Sequence, residues 1–144
     1  MRFRCLNCLI AMMLAGTIIS TAQEAKSGVK HTTAAATSPA SGKEMFMSYC
    51  ASCHGKDAKG DGPAAAALKQ APADLTLLAK LHGGKYPADE VTSVLRGQTK
   101  LTAHGDQDMP VWGPVFWKMS QGHEEQVQMR IANLNRYIES LQEK

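Results

Sequence analysis

The sequence predicts an all-α fold, and three observations across its 144 residues support that prediction. Apolar side chains recur three and four positions apart in several segments, which is the period of a helix with one buried face. No segment alternates apolar and polar residues as a half-buried strand would. No internal repeat is present, so we expect one small helical domain with appended segments.

The first 22 residues are organised like a secretory signal. Arg2 and Arg4 make a positive start, an apolar run extends from Leu6 to Ile19, and small residues precede a predicted cut after Ala22. The apolar run is short for a membrane span of about 20 residues. We therefore expect cleavage, and a membrane tether would follow only if the leader is kept.

Residues 23–40 form a predicted flexible linker, and the folded domain is predicted to cover residues 41–144. Alanine, threonine, serine and lysine dominate the linker, and it has almost no large apolar side chain to offset the cost of ordering its backbone. His31 lies within it and is interpreted as a solvated residue.

In the first half of the domain, the spacing of Gly42, Met45, Phe46 and Tyr49 predicts a helix that leads into residues 50–54. A turn-rich loop follows over Lys56 to Gly62. Pro63 is then placed to start an alanine-rich helix that reaches Lys69. After a loop around Pro72, Asp74 is placed to cap a short turn that ends near Leu78.

In the second half, a helix is predicted between Pro87 and Gly97, with acidic residues in its first turn. Residues 101–118 contain two glycines and two prolines and are predicted to be irregular. The last helix, over about 124–142, carries one apolar stripe. That stripe consists of Val127, Ile131, Leu134, Ile138 and Leu141.

The segment with the clearest chemistry is Cys50-Ala51-Ser52-Cys53-His54. Two thiols three positions apart can each add to a vinyl group of a haem, and the histidine that follows then lies beneath the iron. Imidazole is a standard ligand of haem iron. The motif therefore predicts one haem c, attached through thioethers at Cys50 and Cys53, with His54 as an iron ligand.

Three other interpretations of this cysteine pair are weaker. A zinc site needs further ligands, and the other pair, Cys5 and Cys8, lies in the predicted leader. A thioredoxin-like redox pair is expected in a βαβ context, which the sequence does not show. A structural disulfide would have to close over a strained three-residue gap.

A second iron ligand is expected from a methionine or a histidine. The candidates in the predicted domain are Met45, Met47, Met109, Met119, Met129, His82, His104 and His123. Met109 is favoured because it precedes Pro110 and so avoids the α region, which suits a loop over the opposite haem face. His104 and then Met119 are the alternatives. A carbonyl in the region of Pro63 is expected to accept the other ring N–H of His54.

The composition excludes one class of partner. The formal charge of +3 falls to about +1 without Arg2 and Arg4, because 14 basic residues then face 13 acidic ones. No basic run with interleaved aromatic residues is present, so nucleic acid is not an expected partner.

The haem motif, Met109-Pro110 and the terminal helices together resemble class I cytochrome c, and specifically a bacterial periplasmic monohaem cytochrome. The resemblance covers residues 41–144. It implies a cytochrome c fold with three to five helices around one haem and with the N- and C-terminal helices crossing. Gly42, Phe46 and Tyr137 match the family's pattern at that crossing.

Three functions are open at this point. The first is a monomeric periplasmic electron carrier between a donor dehydrogenase or cytochrome complex and an acceptor oxidase or reductase. The second is the cytochrome subunit of a periplasmic oxidoreductase complex. The third is a gas sensor with an open sixth iron position. Occupation of both axial positions by His54 and Met109 leaves no site for oxygen or peroxide, so the protein is not expected to be an enzyme.

Overall fold

The computed structural model describes residues 34–98 and 109–143, and the regular structure within these ranges is entirely helical. Its α-helices are α1 (Gly42–Met45), α2 (Ala51–His54), α3 (Leu78–Leu81), α4 (Ala88–Arg96), α5 (Trp112–Met119) and α6 (Glu124–Ser140). A π-helical turn, Phe46–Cys50, joins α1 to α2, and 3₁₀ turns lie at Ala65–Ala67 and Leu75–Leu77. The all-α prediction is confirmed.

The predicted leader at 1–22, most of the predicted linker, and His31 and His104 lie outside the described residues. Within the described ranges, no helix combines the length and the apolar character that crossing a membrane requires.

The first and last helices cross at a point of close backbone approach. Gly42 lies so near α6 that an added Cβ would overlap the carbonyl of Asn133. Phe46, one helical turn later, contacts Tyr137 with ring centroids 5.4 Å apart. The predicted crossing through Gly42, Phe46 and Tyr137 is therefore confirmed.

One face of α6 forms the centre of the hydrophobic core. Val127, Ile131, Leu134 and Ile138 of the predicted stripe are buried, and Leu141 is half-buried against them. A second layer of aromatic rings covers this face, with Tyr49 stacked on Trp112 at 5.1 Å between centroids. Trp112 is therefore buried as part of the hydrophobic core.

Two predicted segments differ from the structure. Residues 112–118 of the segment predicted to be irregular lie in α5 (Trp112–Met119). The helix tolerates Pro114 because this residue lies in the first turn, where an N–H has no helical partner to lose. The predicted helix from Pro63 to Lys69 is only the 3₁₀ turn Ala65–Ala67. The backbone N–H of Ala64 donates to the carbonyl of Ser52 in α2 at 2.9 Å, and those of Ala67 and Leu68 donate to carbonyls three positions earlier, as in a 3₁₀ turn.

The packed domain begins before residue 41, earlier than the sequence predicted. Thr37 is buried, and its hydroxyl lies 2.8 Å from the hydroxyl of Tyr49. Tyr49 in turn donates to the carbonyl of Ala35 at 2.6 Å. Arg130 of α6 donates from Nη1 to Thr37 at 3.1 Å. These polar contacts hold residues 34–40 on the domain although the segment offers few apolar side chains.

The close approach at Gly42 leads to a stability prediction. In Gly42→Ala the new methyl group must displace the backbone of α6, and overpacking of this kind costs about 1–3 kcal/mol. Urea unfolding of the haem-loaded protein measures the loss. Lys43→Ala, at the exposed neighbouring position, is the control, and equal stability of the two variants would contradict the proposed packing.

Candidate functional site

The loop that follows His54 closes the last turn of α2. Backbone N–H groups of Gly60, Gly62 and Ala64 donate to the carbonyls of His54, Cys53 and Ser52 at 2.8, 3.0 and 2.9 Å. These carbonyls have no partner within so short a helix. Glycine is required at position 62, because a Cβ there would lie 2.5 Å from the oxygen of Ser52. The loop thereby fixes the helix that carries both cysteines and the histidine.

An apolar cavity opens beside α2. Its empty volume, including the part open to solvent, is about 590 Å³. Its apolar walls are Leu75, Leu78, Val91, Val94, Leu95 and Ile138. The 3₁₀ turn Leu75–Leu77, the start of α3, one face of α4 and the end of α6 therefore meet around one space.

Three of the four predicted site residues line this cavity: Cys50, His54 and Met109. The fourth, Cys53, is not among the lining residues. It is partly exposed, and its sulfur accepts a weak hydrogen bond from the Ser52 hydroxyl at 3.8 Å. The structure thus brings the predicted iron ligands of both axial positions to one site, although they are far apart in the sequence.

No disulfide joins Cys50 and Cys53. Burial, with a smaller contribution from Cys53, raises the pKa of the Cys50 thiol to about 12, and attachment of haem would convert this thiol to a thioether. Two thiols, an imidazole, a thioether and an apolar wall are the groups that a covalent haem requires. The residues present fit haem c.

The His54 ring is oriented by a backbone carbonyl. His54 is buried, and its Nδ1 lies 3.0 Å from the oxygen of Ala73. A carbonyl can only accept, so Nδ1 carries the proton, and the lone pair of the neutral ring is on Nε2. The sequence placed this carbonyl in the region of Pro63, whereas the structure provides it from Ala73. No sequence signal marks a backbone oxygen, so residue patterns could not have found it.

Most of the other candidate ligands lie away from the cavity. Met45 is in the core, and the sulfur of Met119 lies 3.4 Å from the Tyr49 hydroxyl. Met47, Met129 and His123 are exposed at the surface. Of the described candidates, Met109 and His82 line the cavity.

His82 is held in place through both of its ring nitrogens. Nδ1 lies 2.8 Å from the carbonyl oxygen of Leu78, and Nε2 lies 3.0 Å from a carboxylate oxygen of Glu90. His82 would have to give up its contact with Glu90 before Nε2 could bind a metal. Ligation by Met109 requires no such exchange, so the geometry favours Met109 over His82.

The described residues contain no group of three or more histidine, cysteine or acidic side chains placed to hold a metal ion. Within the part of the chain that the structure describes, Cys50 and Cys53 are therefore not part of a metal-binding cluster of three or more such side chains.

A polar contact that sequence reasoning missed holds α4 on α6. Asn135 is buried, and its Nδ2 donates to the carbonyl of Ala88 and to the hydroxyl of Thr92, each at 2.8 Å. Its Oδ1 accepts from the hydroxyl of Tyr86 at 2.6 Å. Because α4 supplies a cavity wall, Asn135 sets the position of that wall relative to α6.

Comparison with protein families agrees with this arrangement. The chain belongs to the class I c-type cytochromes. The family model that it matches, over residues 37–121, is described as cytochrome c oxidase, cbb3-type, subunit III. Neither the curated proteins nor the solved structures gave a match. Membership implies covalently bound haem c with its iron, and haem-based electron transfer with redox partners.

The buried Tyr86 hydroxyl leads to a prediction about alkaline stability. Burial, and secondarily the charge of Glu139, raise the pKa of Tyr86 above its ordinary value. In the unfolded chain this hydroxyl ionises near pH 10, whereas in the folded protein it stays neutral to higher pH. The contribution of Tyr86 to the free energy of unfolding is therefore fully present below pH 10 and is lost as the pH rises further.

Tyr86→Phe removes that contribution. The free energy of unfolding, measured by denaturant titration from pH 8 to 11, should fall more steeply above pH 10 for the wild type than for the variant. Parallel pH profiles for the two proteins would contradict the assignment.

Proposed function

We propose that this protein is a periplasmic one-electron carrier whose haem c is attached at Cys50 and Cys53 and ligated by His54 and Met109. The observation that supports the proposal most directly is that Cys50, His54 and Met109 line one apolar cavity. The hydrogen bond from His54 to Ala73 supports the same proposal, because haem-ligating histidines normally donate their second N–H in this way.

The surroundings of the site suit electron transfer. When bound, the haem supplies a one-electron couple between ferric and ferrous iron. The apolar walls would disfavour the additional positive charge of the ferric form, and a methionine thioether would also favour the ferrous form, so both would raise the reduction potential. With His54 and Met109 both bound to the iron, no position would be open to oxygen or peroxide, so we propose that the protein is a carrier and not an enzyme.

Partners and location follow from the same proposal. Electrons would come from a periplasmic dehydrogenase or cytochrome complex and pass to an oxidase or reductase, in the weak and small encounters typical of redox proteins. Residues 1–22 would direct export to the periplasm, and residues 23–33 would lie between this leader and the packed domain. The carrier would be a monomer.

A second function is favoured by the description of the matching family model. That description names a subunit of an oxidase, so a permanent place in a periplasmic oxidoreductase complex is the alternative to free diffusion. Gel filtration of the native protein from its own periplasm separates the two, because a carrier elutes as a monomer and a subunit elutes with a larger assembly.

Substitution of Met109 tests the ligand assignment. We expect the oxidised wild type to show the weak long-wavelength absorption of a sulfur–iron bond, and Met109→Ala to lose it and to bind carbon monoxide when reduced. Met129→Ala, which truncates an exposed methionine of α6, is the matched control and should retain the wild-type spectrum.

Two results would count against His54/Met109 ligation. One is a Met109→Ala spectrum identical to that of the wild type, which would direct attention to His82 or His104. The other is ready carbon monoxide binding by the reduced wild type, which would favour the gas-sensor interpretation.

The location is tested separately by the mass of the mature protein. We expect haem-loaded protein purified from the periplasm to begin at Gln23. Recovery in the membrane fraction with the first 22 residues retained would show that the leader is an anchor instead.

A further inference from the structure

The end of the chain reaches back to the segment that orients His54. Gln142, just beyond α6, accepts at Oε1 from the backbone N–H of Ala79 at 2.8 Å. Its Nε2 donates to the carbonyl of Leu75 at 2.7 Å and to the carbonyl of Ile138 at 2.9 Å. One half-buried side chain therefore links the C-terminal helix to both ends of the stretch 75–79.

This stretch and the two residues before it carry two parts of the site. Leu75 and Leu78 form cavity wall. The carbonyl of Ala73, two residues before Leu75, accepts the hydrogen bond from His54. Any displacement of the Leu75 peptide is thus transmitted through a very short length of backbone to the acceptor of His54.

The Leu75 residue is fixed from two sides. Its N–H donates to the carbonyl of Ala58 at 2.8 Å, and its carbonyl accepts from Gln142. The loop that contains Ala58 therefore holds the N–H of Leu75, and the Gln142 side chain holds its carbonyl. The backbone N–H of Glu143 adds a further bond to the carbonyl of Thr76 at 2.9 Å, but that bond does not depend on the side chain at position 142.

We propose that Gln142 is a positioning residue for His54: it holds the 73–79 backbone so that the Ala73 carbonyl accepts the ring N–H of His54. This inference rests on the proposed role of His54 as an iron ligand. A firm hydrogen bond at Nδ1 makes the imidazole a stronger donor to a metal, which stabilises the more positive ferric state. Loosening the bond therefore raises the reduction potential.

The test uses the full-length, haem-loaded protein and two variants. Gln142→Ala removes the whole side chain beyond Cβ. Gln142→Met keeps nearly the same length and neutral charge but neither accepts from Ala79 nor donates to Leu75 effectively, so it separates the hydrogen bonds from the packing. The matched controls are Gln126→Ala and Gln126→Met, at an exposed glutamine of α6.

The measurements are the reduction potential by optical titration and the electron paramagnetic resonance of the ferric protein. In both Gln142 variants we expect the equilibrium to move toward the ferrous form by up to about tenfold, which corresponds to about 59 mV for one electron. The resonance positions should shift with it. The Gln126 variants should match the wild type in both measurements. If Gln142→Ala does not fold, Gln142→Met decides the outcome.

One result overturns the inference alone: lower stability of the Gln142 variants with the wild-type potential and resonance would show that the residue only secures the end of the chain. A different result overturns the function on which it rests. If His54→Ala retains the optical and resonance spectra of the wild type, His54 is not the ligand. The two failures are read from different variants and cannot be confused.

Discussion

The close backbone approach of the first helix to the last, at Gly42, is the constraint on which the rest of the domain depends. With no side chain at this position, α1 can lie against the carbonyl of Asn133. The π-helical turn then carries the chain directly from this crossing to Cys50. From the other side, α6 continues to Ile138, which lines the same cavity. One contact between distant parts of the sequence thereby places two walls of the site.

Two polar side chains, one on α6 and one just beyond its end, determine how the remaining walls meet the core. Apolar burial is strong but non-directional, so it would allow α4 or the 73–79 segment to slide along α6. Asn135 removes that freedom for α4, and Gln142 removes it for the segment beside His54. A hydrogen bond contributes only about 0.5–1.5 kcal/mol net, but a buried group left without its partner costs about 1–3 kcal/mol. These contacts therefore penalise wrong positions more than they stabilise the right one.

The sequence predicted what depends on local pattern and missed what depends on distant backbone. The haem motif and the apolar stripe of α6 could be read from spacing and neighbouring residues, and Met109, which the sequence favoured as a ligand, lines the cavity. The carbonyl of Ala73 could not, because any residue type supplies the same oxygen and only the folded path brings it to His54. Helix α5 was missed for a related reason. A proline inside a helix normally interrupts it. Pro114 is tolerated because it lies in the first turn of α5, and the sequence does not show where that helix begins.

The two candidate ligands on the cavity wall differ in what each would have to give up in order to bind a metal. A histidine binds a metal through a ring nitrogen that carries no proton, and Nε2 of His82 already lies 3.0 Å from a carboxylate oxygen of Glu90. Ligation by His82 would therefore break that contact, and it would leave the Glu90 carboxylate without its partner. Ligation by a thioether requires no proton to leave, and Met109 lines the same cavity. The contacts of the cavity wall therefore favour Met109 over His82 as the second ligand.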